Sequence, residues 1–161
     1  MTSGGKEHQL TVWNWGAESQ EAVHTLKLPA GASGILRNPA FCSEGRRVAA
    51  VTGGNRSVWL WDVTPGNFRE IDGKPLTVPG TGRINQAISH PNGRRVVVVS
   101  DDQVQLLDPE TGEVSSIRAP HAGDIGCAVV SPDGKFLATG AGYRGHGEVR
   151  IWDISRWGQK P

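Results

Sequence analysis

Residues 131–153 read SPDGKFLATGAGYRGHGEVRIWD. Within 23 residues they hold a turn, a short apolar run, a glycine-rich turn, a second apolar run and a terminal Trp-Asp. Asp-Gly is a hairpin signal because both positions of the pair tolerate positive φ. The stretch is therefore read as two antiparallel strands. What decides the fold is whether it occurs once or recurs.

It recurs. LTVWN (10–14), VWLWD (58–62), VQLLD (104–108) and VRIWD (149–153) share one shape. Their landmark residues Trp13, Trp61, Leu107 and Trp152 are 48, 46 and 45 positions apart. A period of this size marks an array of supersecondary units. Three further landmarks keep the same phase. Turns precede apolar runs in SEGRRVAAVTGG (43–54), HPNGRRVVVVSDD (90–102) and SPDGKFLATGAG (131–142). Before each turn stands ILRNPAF (35–41), INQAIS (84–89) or IGCAVVS (125–131). After the Trp-Asp positions come AVHTLKL (22–28), REIDGKPLTV (69–78) and GEVSSIRA (112–119). One unit is strand, turn, strand, turn, strand ending in Trp-Asp, loop, strand: a four-stranded antiparallel meander with no room for a helix.

SPDG, then LATG, then VRIWD, with His121 upstream, resembles a blade of the WD-repeat β-propeller family. The resemblance covers nearly the whole chain. It implies an all-β fold of four-stranded blades packed face to face. Inner strands covered on both faces are then expected to be almost continuously apolar, as in VAAV (48–51), VVVV (96–99) and IGCAVV (125–130). Tryptophans near the ends of third strands are expected to bury large area between blades, about 1.5–3 kcal/mol each, and a buried indole N–H needs an acceptor. The family resemblance implies one, a chain of Trp, Ser or Thr, His and Asp. Trp152, Thr139 and His121 match three of its positions. The fourth falls at Tyr143 in a turn that reads as lengthened, so the Asp is expected to be missing. Matching positions in the other units are Val51 with Asn55 and Val97 with Asp101, so no unit reads as complete.

The expected division is a partial blade at 1–29, blades at 30–79 and 80–119, a blade without its outer strand at 120–155, and a tail at 156–161. That is about three and a half blades, against 4–8 in a closed ring. The missing cover is expected from other blades of the same longer protein or from a second copy. Closure by a second copy leaves one strand over at each junction.

Lysine and arginine total 17, aspartate and glutamate 16, for a net charge of +1. No overall field recruits nucleic acid or an anionic membrane. No apolar run approaches the length of a membrane span, and nothing near Met1 reads as a signal peptide, so a cytoplasmic location is expected. Cys42 and Cys127 lack metal-ligand spacing and are read as reduced, buried thiols. His121 has no ligand-spaced partner, which favours a structural histidine over a metal ligand. Asp101-Asp102 reads as turn chemistry ahead of a catalytic or calcium-binding pair. Arg46-Arg47 and Arg94-Arg95 read as solvated strand arginines. No cofactor, metal site or catalytic residue is expected.

The resemblance implies a non-catalytic scaffold that binds a protein or peptide through rim loops. The candidate contacts are Asn55, Arg56, Arg83, Asp101, Asp102, Tyr143 and Arg144. The alternatives are part of an enzymatic propeller, a hydrolase or quinone-dependent oxidoreductase, and a truncated product without activity of its own.

Overall fold

The computed structural model describes residues 2–3, 9–13, 22–32, 34–52, 57–64, 67–70, 75–80, 82–143 and 146–157, with only the backbone at 2–3, 22–24, 67–70, 118, 143 and 146. Four antiparallel sheets follow one another along the chain. The first joins β1 (Thr2–Ser3), β2 (Gln9–Trp13) and β3 (Ala22–Lys27). The second joins β4 (Leu36–Cys42), β5 (Arg47–Thr52), β6 (Ser57–Thr64) and β7 (Asn67–Glu70), with β8 (Leu76–Thr77) also on β6. The third orders β9 (Ile84–Ser89), β10 (Val96–Ser100), β11 (Gln103–Leu107) and β12 (Val114–Arg118). The fourth has β13 (Ile125–Val130), β14 (Phe136–Tyr143) and β15 (His146–Asp153). No α-helix occurs among the described residues. The fold is all-β, an incomplete propeller.

Two-residue alternation explains the stacking. In β10, Val96 and Val98 enter the core shared with the second sheet, while Val97 and Val99 enter the core shared with the fourth. In β5, Val48 and Ala50 face the first sheet, and Ala49 and Val51 face the third. All eight are at most 1% exposed. A continuous apolar run is thus two alternating half-runs, each feeding a different core.

The first strands behave differently. IGCAVV is not covered on both faces: Ile125 and Ala128 are buried, but Val129 is 62% exposed and Cys127 is exposed. Only one side of the fourth sheet has a described neighbour. In β4 and β9, polar side chains reach the adjacent first strand instead. Asn38 Nδ2 donates to Asn85 O, and Asn85 Nδ2 donates to Ile125 O at 2.7 Å. Gln86 Oε1 accepts from Ala128 N at 2.9 Å, and Ser89 Oγ donates to Phe41 O.

Trp61 is 1% exposed and donates from Nε1 to Lys27 O of the preceding sheet at 3.2 Å. Trp13 departs from the expected burial at 45% exposed. Its position in the unit points toward a preceding sheet, and none lies there among the described residues. REIDGKPLTV is not one strand either. β7 pairs with Trp61–Thr64, and β8 pairs with Ser57 and Val58. Pro75, just before β8, has no N–H to give to a ladder.

The Asp of each Trp-Asp corner ties the next turn. Asp62 Oδ1 accepts from Thr64 N at 2.9 Å, Asp108 Oδ1 from Glu110 N at 2.8 Å, and Asp153 Oδ1 from Ser155 N at 2.9 Å. These are Asx turns, which need a short acceptor side chain. Gly134 is doubly constrained. Its φ is +72°, and a Cβ there would stand 2.9 Å from His90 Cε1 of the preceding unit.

Trp61→Ala is expected to cost about 3–5 kcal/mol, the usual range for emptying a large aromatic site. Trp13→Ala should cost less than about 1 kcal/mol. Urea unfolding of both variants checks the contrast.

Candidate interaction surfaces

One rim carries the turn between β10 and β11 and the connections leading into β9 and β13. Asp101 follows β10 and organises its centre. Its Oδ2 accepts from Arg83 N at 2.9 Å, and its Oδ1 accepts from Asn85 Nδ2 at 2.8 Å. Its own N–H donates to Arg83 O at 3.1 Å, and its carbonyl accepts from Ile125 N at 2.9 Å. One residue therefore fixes the connection entering its own sheet and the first strand of the next. Partial burial works to raise the Asp101 pKa. The Arg83 N–H, the Asn85 amide and the Arg83 guanidinium outweigh it and hold the carboxyl below its ordinary value. Arg83 Nε lies 3.7 Å from Asp101 Oδ2, yet its side chain is 72% exposed. Asp102 is exposed beside it. Gly82 approaches closely: a Cβ would meet Asp101 Cβ and Asp102 Oδ1 at 3.0 Å.

The same rim bears a buried polar chain. Trp152 Nε1 donates to Thr139 Oγ1 at 2.8 Å, Thr139 Oγ1 lies 2.7 Å from His121 Nε2, and His121 Nδ1 lies 3.0 Å from Glu148 Oε2. The His121 side chain is fully buried. Thr139 has a single hydroxyl proton and already accepts from Trp152. Donation of that proton to Nε2 leaves Nδ1–H for Glu148, so every group has a partner. The expectation that this unit is incomplete is corrected. Glu148 on β15 supplies the acid, in place of an Asp in the turn. Ala141 pairs with Glu148 and Thr139 with Arg150, which sets Glu148 on the face of Thr139. The hydrogen bond from Arg150 leads in holding the Glu148 carboxyl below its ordinary value. Desolvation opposes this, while His121 and the Ala122 N–H add to it.

YRGHGE is likewise not a long turn. β14 runs to Tyr143 and β15 starts at His146, with Tyr143 and His146 paired, so only 144–145 lie between the strands. Of the contacts expected from sequence, Arg83, Asp101 and Asp102 are brought together. Asn55, Arg56 and Arg144 lie outside the described residues, as does the Tyr143 side chain.

The opposite rim holds a cleft of about 470 Å³ between the second and third sheets, lined by Ser43, Glu44, Arg46, Arg47, Asp62, Thr64, Arg94, Asp108 and Glu110. The arginines read as solvated strand residues meet carboxylates here. Arg47 Nη2 pairs with Glu110 Oε2 at 2.9 Å, Arg47 Nη1 donates to Pro109 O at 2.7 Å, and Arg94 Nε stands 3.8 Å from Glu44 Oε1. Ser43 Oγ donates to Glu110 Oε1 at 2.9 Å, and Glu44 N donates to Gly93 O at 2.7 Å. The cleft is charged but balanced, with three arginines facing four carboxylates. Sequence spacing gave no sign of it, because Arg47 and Glu110 belong to different sheets.

Residues 112–153 match the family model described as WD domain, G-beta repeat. The chain is 32% identical to human striatin-4 over 162 residues, covering 96% of this chain and 20% of that protein. It is 31% identical over 111 residues to the serine-threonine kinase receptor-associated protein of Dictyostelium discoideum, covering 68% of this chain and 34% of that one. It thus spans about a fifth to a third of these relatives. Among solved structures, Kuenenia stuttgartiensis hydrazine synthase matches with a TM-score of 0.73 at 20% identity, over 92% of this chain and 40% of that one. That likeness concerns the fold alone.

Two tests follow from this geometry. Thr139→Val strands the Trp152 N–H and leaves His121 Nε2 without its partner, which should cost about 1–3 kcal/mol in chemical unfolding. Asp101 has a lowered folded-state pKa, so its contribution is full above the unfolded value near 3.9 and is lost as pH falls through the folded one. The melting temperature of the unmodified chain should therefore drop more between pH 5 and about 2 than that of Asp101→Asn. Equal slopes would remove Asp101 from the account. With the phased Trp-Asp corners, the stacked antiparallel sheets and the WD-repeat matches together, the chain belongs to the WD-repeat family, as part of a β-propeller.

Proposed function

We propose that this chain is a non-catalytic scaffold that docks a protein or peptide through the rim built around Asp101. The observation carrying this reading is the Arg83–Asp101–Asn85 cluster. Its buried side is fixed by backbone and amide hydrogen bonds, while the Arg83 guanidinium projects 72% exposed. A cationic group on a rigid base loses little freedom on binding, which favours affinity. Arginine and tyrosine are enriched at binding hot spots, and this reading adds Asn55, Arg56, Tyr143 and Arg144 to the same surface. The units at 1–29, 30–79, 80–119 and 120–155 then act as the frame for these loops. The kinship with WD-repeat proteins supports the scaffold class. One relative carries receptor association in its name. Free thiols at both cysteines agree with a reducing, cytoplasmic setting.

The charged cleft of the opposite rim supports a second docking reading, since a cavity of about 470 Å³ admits a peptide side chain. One experiment separates the two. A random peptide library is selected on the immobilised chain, and the winners are measured against Arg83→Ala/Asp102→Ala and against Arg46→Ala/Arg94→Ala. Loss of at least about tenfold in affinity on the first pair alone supports the Asp101 rim. Loss on the second pair alone moves the site to the cleft. An empty selection counts against the scaffold reading.

A further inference from the structure

We propose that the charged cleft between the second and third sheets takes a peptide with a basic and an acidic side chain on one face. The basic group sits on Asp108 at the floor, and the acidic group meets Arg46 and Arg94 at the lip. This names the ligand chemistry for the cleft reading given above and rests on that reading. Both walls belong to inner units of the stack, each packed against a sheet on either side.

Not every charge in the cleft is open to a ligand. Arg47 and Glu110 are spent on each other: Arg47 Nη2 pairs with Glu110 Oε2, Arg47 Nη1 donates to Pro109 O, and Ser43 Oγ donates to Glu110 Oε1. This tie is particular to these two sheets. At the next pair of sheets Pro91, Arg95 and Ser155 stand in the places of Ser43, Arg47 and Glu110. Pro91 has no hydroxyl and Ser155 no carboxylate, so the same tie cannot form there. Asp108 is different. Its Oδ1 accepts from the Glu110 and Thr111 N–H groups at 2.8 and 3.2 Å, while its Oδ2 accepts no hydrogen bond among the described residues. Arg46 donates from Nε to Ser43 O at 3.1 Å, and its two Nη groups hold no hydrogen bond among the described residues. Arg94 Nε stands 3.8 Å from Glu44 Oε1, and the two side chains are 80% and 60% exposed, which makes this a loose contact.

Depth orders these charges. Asp62 and Asp108 are half-buried, whereas Glu44, Arg46 and Arg94 are exposed. A charge partly withdrawn from water interacts more strongly than one at the surface. A lysine or arginine, whose long apolar stem carries its charge away from the backbone, reaches that floor while its own chain stays on the rim. Side chains two positions apart on an extended peptide point the same way, so an acid at that spacing comes to the lip. A second cation would instead stand against Arg46 and Arg94, and an acid at the floor would stand against Asp62 and Asp108. The cleft volume of about 470 Å³ falls within the roughly 300–1,000 Å³ of ligand sites. Its walls are charged where such sites are mostly apolar, which selects charged side chains over an apolar molecule.

NMR titration of the isotope-labelled chain at low salt tests this. The probes are short acetylated glycine peptides carrying an arginine and a glutamate two positions apart, two arginines, two glutamates or two glutamines. The mixed peptide should bind at least about tenfold tighter than any other, with shifts at 44–47, 93–94 and 108–110. Asp108→Asn keeps an oxygen for the turn but removes the charge, and should weaken the mixed peptide at least about tenfold. Arg94→Ala, at a side chain that is 80% exposed, should weaken it as well with the melt unchanged, and it carries the test if Asp108→Asn folds poorly. A like-charged or neutral peptide that binds these residues as tightly as the mixed one overturns the inference and leaves the cleft as a docking site. No shift at these residues with any of the peptides overturns the inference and the cleft reading together.

Discussion

The constraint on which this structure depends is that a sheet with two apolar faces requires two neighbours. In β10 each successive valine belongs to a different core, so no single packing partner satisfies the strand. The same holds for β5. A two-layer sandwich has sheets that are apolar on one side only and stops at two. These central strands, buried on both sides, force a third layer and a fourth. Stacking therefore propagates along the chain. In the fourth sheet Leu137 and Trp152 face back into the core shared with the third, and the opposite face carries Ala138 and Gly140 where the third sheet has Val97 and Val99.

Stacking alone leaves the first strands unresolved, because they lie at the edges of their sheets and need partners for backbone groups. Polar side chains supply these. Asn85 takes part in three links: its carbonyl accepts from Asn38, and its amide reaches both Asp101 and Ile125. Gln86 adds a bond to Ala128 N. Apolar burial thus sets the spacing of the sheets, and amide hydrogen bonds set their registration. Burial is non-directional, whereas a hydrogen bond fails beyond a few tenths of an ångström, so registration of one sheet on the next falls to the asparagines and glutamine.

The parts of this fold that were legible in the sequence are those fixed by local chemistry repeated at long period. Trp-Asp corners show because a large aromatic fills the gap between sheets and a short acid ties the turn two residues on. Asn-Gly and Asp-Gly show because their φ demands are local. Glu148 did not show. Its role follows from hairpin register, and Gly140, Gly142 and Gly147 obscured where β14 ends. Reading the hairpin with only two residues between Tyr143 and His146 would have placed Glu148, Arg150 and Trp152 on one face with Thr139. The half-exposed Trp13 did not show either, because burial depends on a neighbour outside its own unit. Nor did the cleft, whose walls lie 62 to 67 residues apart in sequence where they bond and meet only because the two sheets stack.

The turn at 43–45 shows how that stacking reshapes local structure. Pro91-Asn92-Gly93 and Pro132-Asp133-Gly134 occupy the corresponding position in the next two units, and there only the glycines have positive φ. Proline fixes φ near −65° and bars any other course. Ser43 is free of that restriction, and Ser43, Glu44 and Gly45 adopt φ of +50°, +58° and +83° in succession. For the two non-glycine residues this costs about 1–2 kcal/mol each. The inverted turn aims the Glu44 N–H at Gly93 O and the Ser43 hydroxyl at Glu110, both in the following sheet. Each hydrogen bond returns about 1 kcal/mol, more where a carboxylate accepts, and Arg47 anchors the same carboxylate from the other side. Strain and cross-sheet bonding therefore nearly cancel, and the conformation persists only while the second and third sheets remain stacked. The two walls of the cleft are tied together through this turn, by the Glu44–Gly93 and Ser43–Glu110 hydrogen bonds.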